Sequence, residues 1–356
     1  MPTTPTISVN ASGLVTATVG PKSSTYQLAF QPAKTVTPTA TSQIAVSGNY
    51  YTGGDVVVAG DSNLTAENIK AGVSIFGVSG ALVEGGGSEN SDNEDSLINK
   101  TISTYTNSRV SSIGDYTFYG CTNLTDVSFQ ACTKIGDLAF SNCTKLKNVA
   151  FPACVSIGAQ AFTMCTSLTS ASFPVCTTIG NSAFVSCNSL TNVDFPACTS
   201  IGSSIFANCA ALTTADFPVL SSIYSYTFYN CTKLANVSSP ACKSIGTYAF
   251  YNCKSLANLT LPACNIVSTY AFYNCTNLKT ISLPACTSIA SSAFRNCTSL
   301  SSVYLMGSSV VSLAHSNAFS STAMKSSGWF YVPASLLASY QAKTNWTYYS
   351  SRFSGI

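Results

Sequence analysis

Phenylalanine recurs at Phe118, Phe140, Phe162, Phe184, Phe206, Phe228, Phe250, Phe272 and Phe294, every step being 22 residues. Cysteine keeps half that period from Cys121 to Cys297, broken only where Leu220 interrupts the eleven-residue series, and all 16 cysteines of the chain fall in this array. A fixed period of this kind leaves few folds open. Each unit is too short to enclose its own apolar face, so consecutive units must stack and bury those faces against one another, as in a repeat solenoid.

One template runs through the copies and is clearest from Ser156 to Cys176, where Ile157, Ala161, Phe162, Cys165, Leu168, Ala171 and Phe173 alternate with Ser, Thr and other small residues. The apolar set is expected inside and the hydroxyls outside. The Val-x-Phe step, as in Val149-Ala150-Phe151 and Val193-Asp194-Phe195, has period two and predicts one rung of a parallel sheet. Ala-Phe-x-x-Cys predicts a turn or two of helix on the opposite side, since it is too short for more. The expected fold class is therefore a leucine-rich repeat solenoid of 22-residue period, one short parallel strand and one short helix per rung. The pattern IG-x-x-AF-x-x-C-x-x-L-x-x-V-x-FP-x-C resembles the BspA-type leucine-rich repeat family over about residues 100–356. That resemblance implies a surface-exposed or particle-associated protein engaged in adhesion and partner binding, with no catalytic motif. Gly328 to Tyr349 looks like the C-terminal cap of such proteins: Pro333 suits the first turn of a helix over the last rung, with both tryptophans, Trp329 and Trp346, packed beneath it.

Four parts are expected: a small β-rich module over 1–83, a linker over 84–96, the solenoid with an N-terminal cap strand over 97–327, and the cap over 328–356. In the first, Thr6–Val9 and Leu14–Val19 flank Asn10-Ala11-Ser12-Gly13 as a hairpin, and Tyr26–Phe30 offers a further strand. Asn63 or Thr65 can cap a short helix that Gly72 ends, and Val73–Val78 reads as one strand. The run from Val36 to Gly80 resembles a module of tail-associated structural proteins of phages and prophages of Gram-positive bacteria. It implies attachment to tail or baseplate proteins, or homo-oligomerisation, with a trimer as one form. Residues 84–96 are Gly, Ser and like charges with nothing to bury; a calcium loop is the alternative, but EF-hand spacing and flanking helices are missing. The N-terminus shows neither a charged n-region nor an apolar h-region, and no apolar run reaches the length of a membrane span. A tail-bound virion protein assembled in the bacterial host cytoplasm is the expected location, a bacterial cell surface the alternative.

No cofactor or metal is expected. The cysteines form two columns of neighbours about 4.8 Å apart, but side chains stacked in register point in parallel, so they read as reduced, buried small hydrophobes. Zinc would need clustered Cys/His sets, and the only histidine is His315. Asp194 and Asp216 occupy equivalent outward positions on neighbouring rungs, a separation a retaining glycosidase could use, yet they read as two solvated carboxylates and the chain as non-enzymatic. From Ser96 onward thirteen Lys and Arg stand against five Asp, scattered along the repeats, which argues against a nucleic-acid face.

Tyrosine carries more. Two places before and one place after the repeat phenylalanine the chain has Tyr226/Tyr229, Tyr248/Tyr251 and Tyr270/Tyr273, with Tyr224 nearby and Tyr116/Tyr119 repeating the pair near the start. These six are the candidate ligand-binding residues, an aromatic stripe suited to a host-cell surface protein or glycan; the plainer alternative is rings covering neighbouring rungs in a chain of low charge. The sheet face offers Asn148, Asn192, Asp194, Asp216, Asn236 and Asn258 as weaker polar contacts. The function expected is that of a phage tail or baseplate-associated protein whose solenoid binds the host surface; a virion spacer without a receptor and a bacterial adhesin are the alternatives.

Overall fold

The structure, a computed structural model, describes residues 102–356 and, before them, only the short strands between Thr6 and Ser79. The chain forms two units, Met1–Glu84 and Gly85–Ile356. In the first, Thr6–Val9 pairs antiparallel with Leu14–Thr18, which pairs with Tyr26–Ala29, as the alternation in this segment predicts. The single strand expected over Val73–Val78 is instead two, Ser74–Ile75 pairing antiparallel with Val78–Ser79. The expected helix before Gly72 and the linker over 84–96, with its calcium alternative, lie outside the described residues.

The second unit is a parallel β-solenoid. Three-residue strands on the Val-x-Phe step, such as Asn192–Asp194 and Thr214–Asp216, pair parallel in strict register, with Asn192 opposite Thr214 and Val193 opposite Ala215. Central residues point inward and their neighbours outward, the period-two alternation of a sheet with one wet face. A second column of two-residue strands, such as Ser156–Ile157 and Thr178–Ile179, runs up the solenoid, in most rungs just before a glycine, and the sequence reading did not anticipate it as a strand.

The short helix expected at Ala-Phe-x-x-Cys does not form; chained turns take its place. In the first rung Tyr119 N–H donates to the Tyr116 carbonyl (2.9 Å), Cys121 to Phe118 (3.2 Å) and Leu124 to Cys121 (3.1 Å). Residues two before and two after each phenylalanine sit at positive φ, as at Tyr248 (58°) and Asn252 (63°). The cause is competition for the backbone N–H groups. The Phe118 amide donates to the Ala139 carbonyl of the next rung (2.7 Å), and the pattern repeats up to Phe294 and Ala318 (2.8 Å), so the donors a helix would use inside one rung tie rungs together instead. Asn at 142, 208, 230, 252, 274 and 296 fits the left-handed third position of these turns.

Inside, the repeat phenylalanines stack face to face at 5.0–5.7 Å between ring centroids from Phe118 to Phe319. A second stack runs from Phe129 to Phe217, then gives way to buried Ser239 and to Leu261, Leu283 and Leu305. All 16 cysteines are buried free thiols. In the column after each turn the thiol donates to a carbonyl of the preceding rung, Cys143 to Phe118 (3.0 Å) and Cys187 to Phe162 (3.2 Å); in the other it turns back to a carbonyl two residues on, Cys154 to Ser156 (3.3 Å). Cysteine is thus a small hydrophobe that also satisfies a buried acceptor. Where glycine follows the repeat Ile, the rungs approach too closely for a side chain: a Cβ on Gly180 would lie 2.5 Å from the Ala159 nitrogen.

Both ends are closed. Thr104–Asn107 pairs parallel with Asp126–Phe129 and lays the Tyr105 ring 5.2 Å from Phe118 and from Phe129. At the other end Trp329–Val332 and Phe353–Gly355 add two more parallel strands, and Pro333 leads through Ala334–Leu336 into the helix Leu337–Ala342. Only one tryptophan lies beneath this cap. Trp346 is buried and its indole N–H donates to the Val311 carbonyl (2.8 Å), whereas Trp329 is 39% exposed because strand alternation turns Phe330 and Val332 inward.

Phe184→Ala, in the middle of the first stack, is expected to destabilise the solenoid by about 3–5 kcal/mol, read by urea unfolding followed by circular dichroism. Alkali should act through the thiols. Burial is the largest cause pushing Cys198 and Cys286 up to about 11 and Cys176 and Cys264 up to about 12. A raised thiol favours the folded state fully below the unfolded value of about 8.5 and loses that contribution as pH climbs through the folded values. Unfolding free energy is therefore expected to be flat from pH 6 to 8 and to fall steadily from about pH 9 to 12, with the thiols inert to a disulfide reagent at pH 8 until urea is added.

Candidate tyrosine groove

The six tyrosines are brought together. Tyr226, Tyr248 and Tyr270 form one column, with ring centroids 5.1 and 4.9 Å apart; Tyr229, Tyr251 and Tyr273 form a second, at 4.8 and 5.2 Å. Within a rung the paired rings stand 5.6 Å apart at 56–68°. They sit on the chained turns, not on a helix, and each pair is locked by its turn, Tyr251 N–H donating to the Tyr248 carbonyl (3.1 Å). Because the rungs superpose, ring stacking repeats outside the solenoid what the phenylalanines do inside it. Together the six line a shallow surface groove of about 490 Å3.

Arg295 also lines this groove. It follows Phe294 by one place, so it continues the column of Tyr229, Tyr251 and Tyr273 with an exposed guanidinium. Sequence reading passed over it, although its column position was the signal. Alongside runs an amide ladder: Asn252 Nδ2 donates to Asn230 Oδ1 (3.0 Å), Asn274 to Asn252 (2.8 Å), and Asn296 Nδ2 ends the series by donating to the Tyr273 hydroxyl (3.0 Å). Burial, then the neighbouring phenols Tyr270, Tyr226, Tyr251 and Tyr229, raise the Tyr248 hydroxyl above the ordinary tyrosine range; Tyr251 is raised by burial and by Tyr229 and Tyr273. Both are neutral donors at physiological pH.

Charge divides along the solenoid. Residues 96–216 carry five basic and five acidic side chains, whereas 217–356 carry eight basic and none acidic. The groove lies in the second part.

The other candidates do not assemble into a site. Asp194 and Asp216 are exposed register partners on the sheet face, with Ser172 Oγ 3.5 Å from Asp194. Asn148, Asn192, Asn236 and Asn258 are exposed on a second column of that face, two residues earlier in each strand, and Asn148 donates to Asp126. Tyr116 and Tyr119 repeat the ring pair at 5.8 Å but without stacked neighbours, since Leu138 and Ser141 follow them; Tyr224 is exposed. His315 Nδ1 accepts from the Asn317 amide (3.0 Å). A smaller groove includes Asp115 and Asp137, but these carboxylates accept backbone N–H bonds from Asp137 and Ala159 (2.7 Å each) and brace the turns. Among the described residues no group of three His, Cys, Asp or Glu could hold a metal ion, and no helix is long and apolar enough to cross a membrane.

The family model described as "BspA type Leucine rich repeat region" matches residues 96–213 and 221–328, in six copies. The chain belongs to this family. It is similar to a leucine-rich repeat protein from Bacteroides ovatus, at 27% identity over 57% of this chain and 60% of that one, with a TM-score of 0.48; it thus spans less than two thirds of that protein. It is also similar to the leucine-rich repeat protein of T. pallidum, at 32% identity over 41% of this chain and 72% of that one (TM-score 0.40). The pneumococcal vaccine antigen PcpA matches at 14% identity over 98% and 97% of the two chains (TM-score 0.36). No curated protein matches the chain.

Stacking and burial predict a delayed titration for this BspA-type array. Below about pH 10 the neutral phenols keep the columns packed, and that contribution is lost as pH rises through the raised values of Tyr248 and Tyr251. Ultraviolet difference titration should show Tyr248→Phe and Tyr251→Phe each removing a late-ionising component.

Proposed function

We propose that this chain is a non-enzymatic binding protein whose solenoid engages a component of a cell surface through the tyrosine groove. One observation carries the reading: three successive rungs place six half-exposed tyrosines, and a fourth places Arg295, around a single groove. Rigid aromatic side chains with polar tips contribute contact area at low entropic cost and are common anchors of recognition surfaces. The resemblance of residues 36–80 to tail-associated modules supports a phage tail or baseplate as the carrier, assembled in the bacterial cytoplasm. In that setting the first unit docks on tail proteins or oligomerises, as a trimer for example, and several copies engage the host together. Multivalency then makes weak individual contacts sufficient.

A second reading, a bacterial surface adhesin, is favoured by membership of the BspA-type family. It uses the same groove and differs in what carries the solenoid.

Labelled full-length protein is expected to bind saturably to a subset of strains in a panel of Gram-positive gut and oral bacteria. Tyr248→Ala with Tyr251→Ala should weaken that binding about tenfold or more while the circular dichroism stays native. Unchanged binding by the folded double variant would remove the groove from the contact, and no saturable binding to any strain would leave the virion spacer as the better description.

A further inference from the structure

The ring geometry restricts what the groove can hold. Within each column neighbouring tyrosines lie 4.8–5.2 Å apart and close to parallel, so their inner faces are occupied by one another. A nucleobase held by stacking needs a free aromatic face, and so does a sugar packed flat on a ring. The central pair, Tyr248 and Tyr251, has none. What the groove offers is ring edges, which carry the positive part of the aromatic quadrupole, together with phenolic hydroxyls and the Arg295 guanidinium. Asn296 donates to the Tyr273 oxygen, so the Tyr273 hydroxyl keeps its own proton available to donate. No carboxylate lines the groove, and no acidic residue occurs anywhere after Asp216. Every one of these features favours an oxygen-rich anion.

The spacing selects among anionic chains. One pair of hydroxyls is presented per rung, so a ligand in step with the protein must repeat at about the inter-strand distance of ~4.8 Å. An extended acidic peptide presents like side chains every second residue, roughly 6.6–6.8 Å apart, and falls out of step within two rungs. A pyranose ring in an extended polysaccharide advances by close to one rung. Resting on the groove as the contact surface, we infer that its ligand is an extended acidic polysaccharide of uronate type, lying along the solenoid axis with about one sugar per rung and a carboxylate paired to Arg295. The tyrosine hydroxyls then donate to ring and hydroxyl oxygens, and the guanidinium to the carboxylate in the bidentate manner open to arginine.

Affinity electrophoresis of the full-length protein in gels containing polygalacturonate, neutral dextran, poly-glutamate or oligo-dT tests this. Retardation by polygalacturonate alone is expected. Arg295→Gln, and separately Tyr229→Phe with Tyr251→Phe, which keeps the stacking but removes two donors, should each weaken it about tenfold. Equal retardation by poly-glutamate or oligo-dT would reduce the effect to net charge and overturn the inference. So would wild-type behaviour of both variants, or no retardation by polygalacturonate. If polygalacturonate fails while cell binding still depends on Tyr248 and Tyr251, the ligand class is wrong and the groove remains the contact surface.

Discussion

Backbone hydrogen bonds between rungs hold this solenoid in register, and most other features follow from that. Because the Phe118 amide bonds to Ala139 and the equivalent amides repeat the bond up the stack, each residue lies over its counterpart 22 positions away. Like therefore meets like. Phenylalanine stacks on phenylalanine at 5.0 Å, asparagine donates its amide to asparagine, and threonine hydroxyls reach the carbonyl one rung below, as Thr213 does to Thr191 (2.9 Å). Charged residues suit such columns poorly, since like charges one rung apart repel. A charged fraction of only 8% is consistent with this constraint.

The same register turns a one-residue choice into a surface. A tyrosine one place after the phenylalanine would be an isolated exposed ring in an ordinary fold. Repeated in three rungs it becomes a stacked column, and paired with the position two before it becomes a groove. Ser182, Ser204, Val185 and Ala207 stand at the same two positions in the preceding rungs, and they bring no aromatic ring to that surface. The change coincides with other departures from the template: Leu220 for cysteine, Tyr224 for glycine, Ser239 for phenylalanine, and the loss of acidic residues after Asp216.

Much of this was legible in the sequence because period and register say the same thing. The two phenylalanine columns, the buried thiols and the inward Val193 all follow from spacing alone, and so does the convergence of the six tyrosines. The turn geometry did not, since Ala-Phe-x-x-Cys also satisfies helical spacing; the asparagines two places after phenylalanine were the overlooked sign of left-handed backbone. Trp329 departs from the buried position its aromatic character suggests because strand parity turns it outward and Phe330 inward. Arg295 escapes a tyrosine periodicity because it is the residue that ends the column. The carbonyl-directed bonds of the thiols depend on side-chain rotation, which no spacing encodes.

The repeats bearing Tyr226, Tyr248 and Tyr270 are close copies, alike in Tyr-x-Phe-Tyr-Asn-Cys apart from the residue before phenylalanine. Each contacts chiefly the rung before and after it, so one such unit can be added or removed without disturbing the fold elsewhere. The groove would then lengthen or shorten by one ring pair at a time, with Arg295 still closing its end. Its reach is a quantised property, set by the number of tyrosine-bearing units and adjustable by gain or loss of one unit, with no change in any side chain.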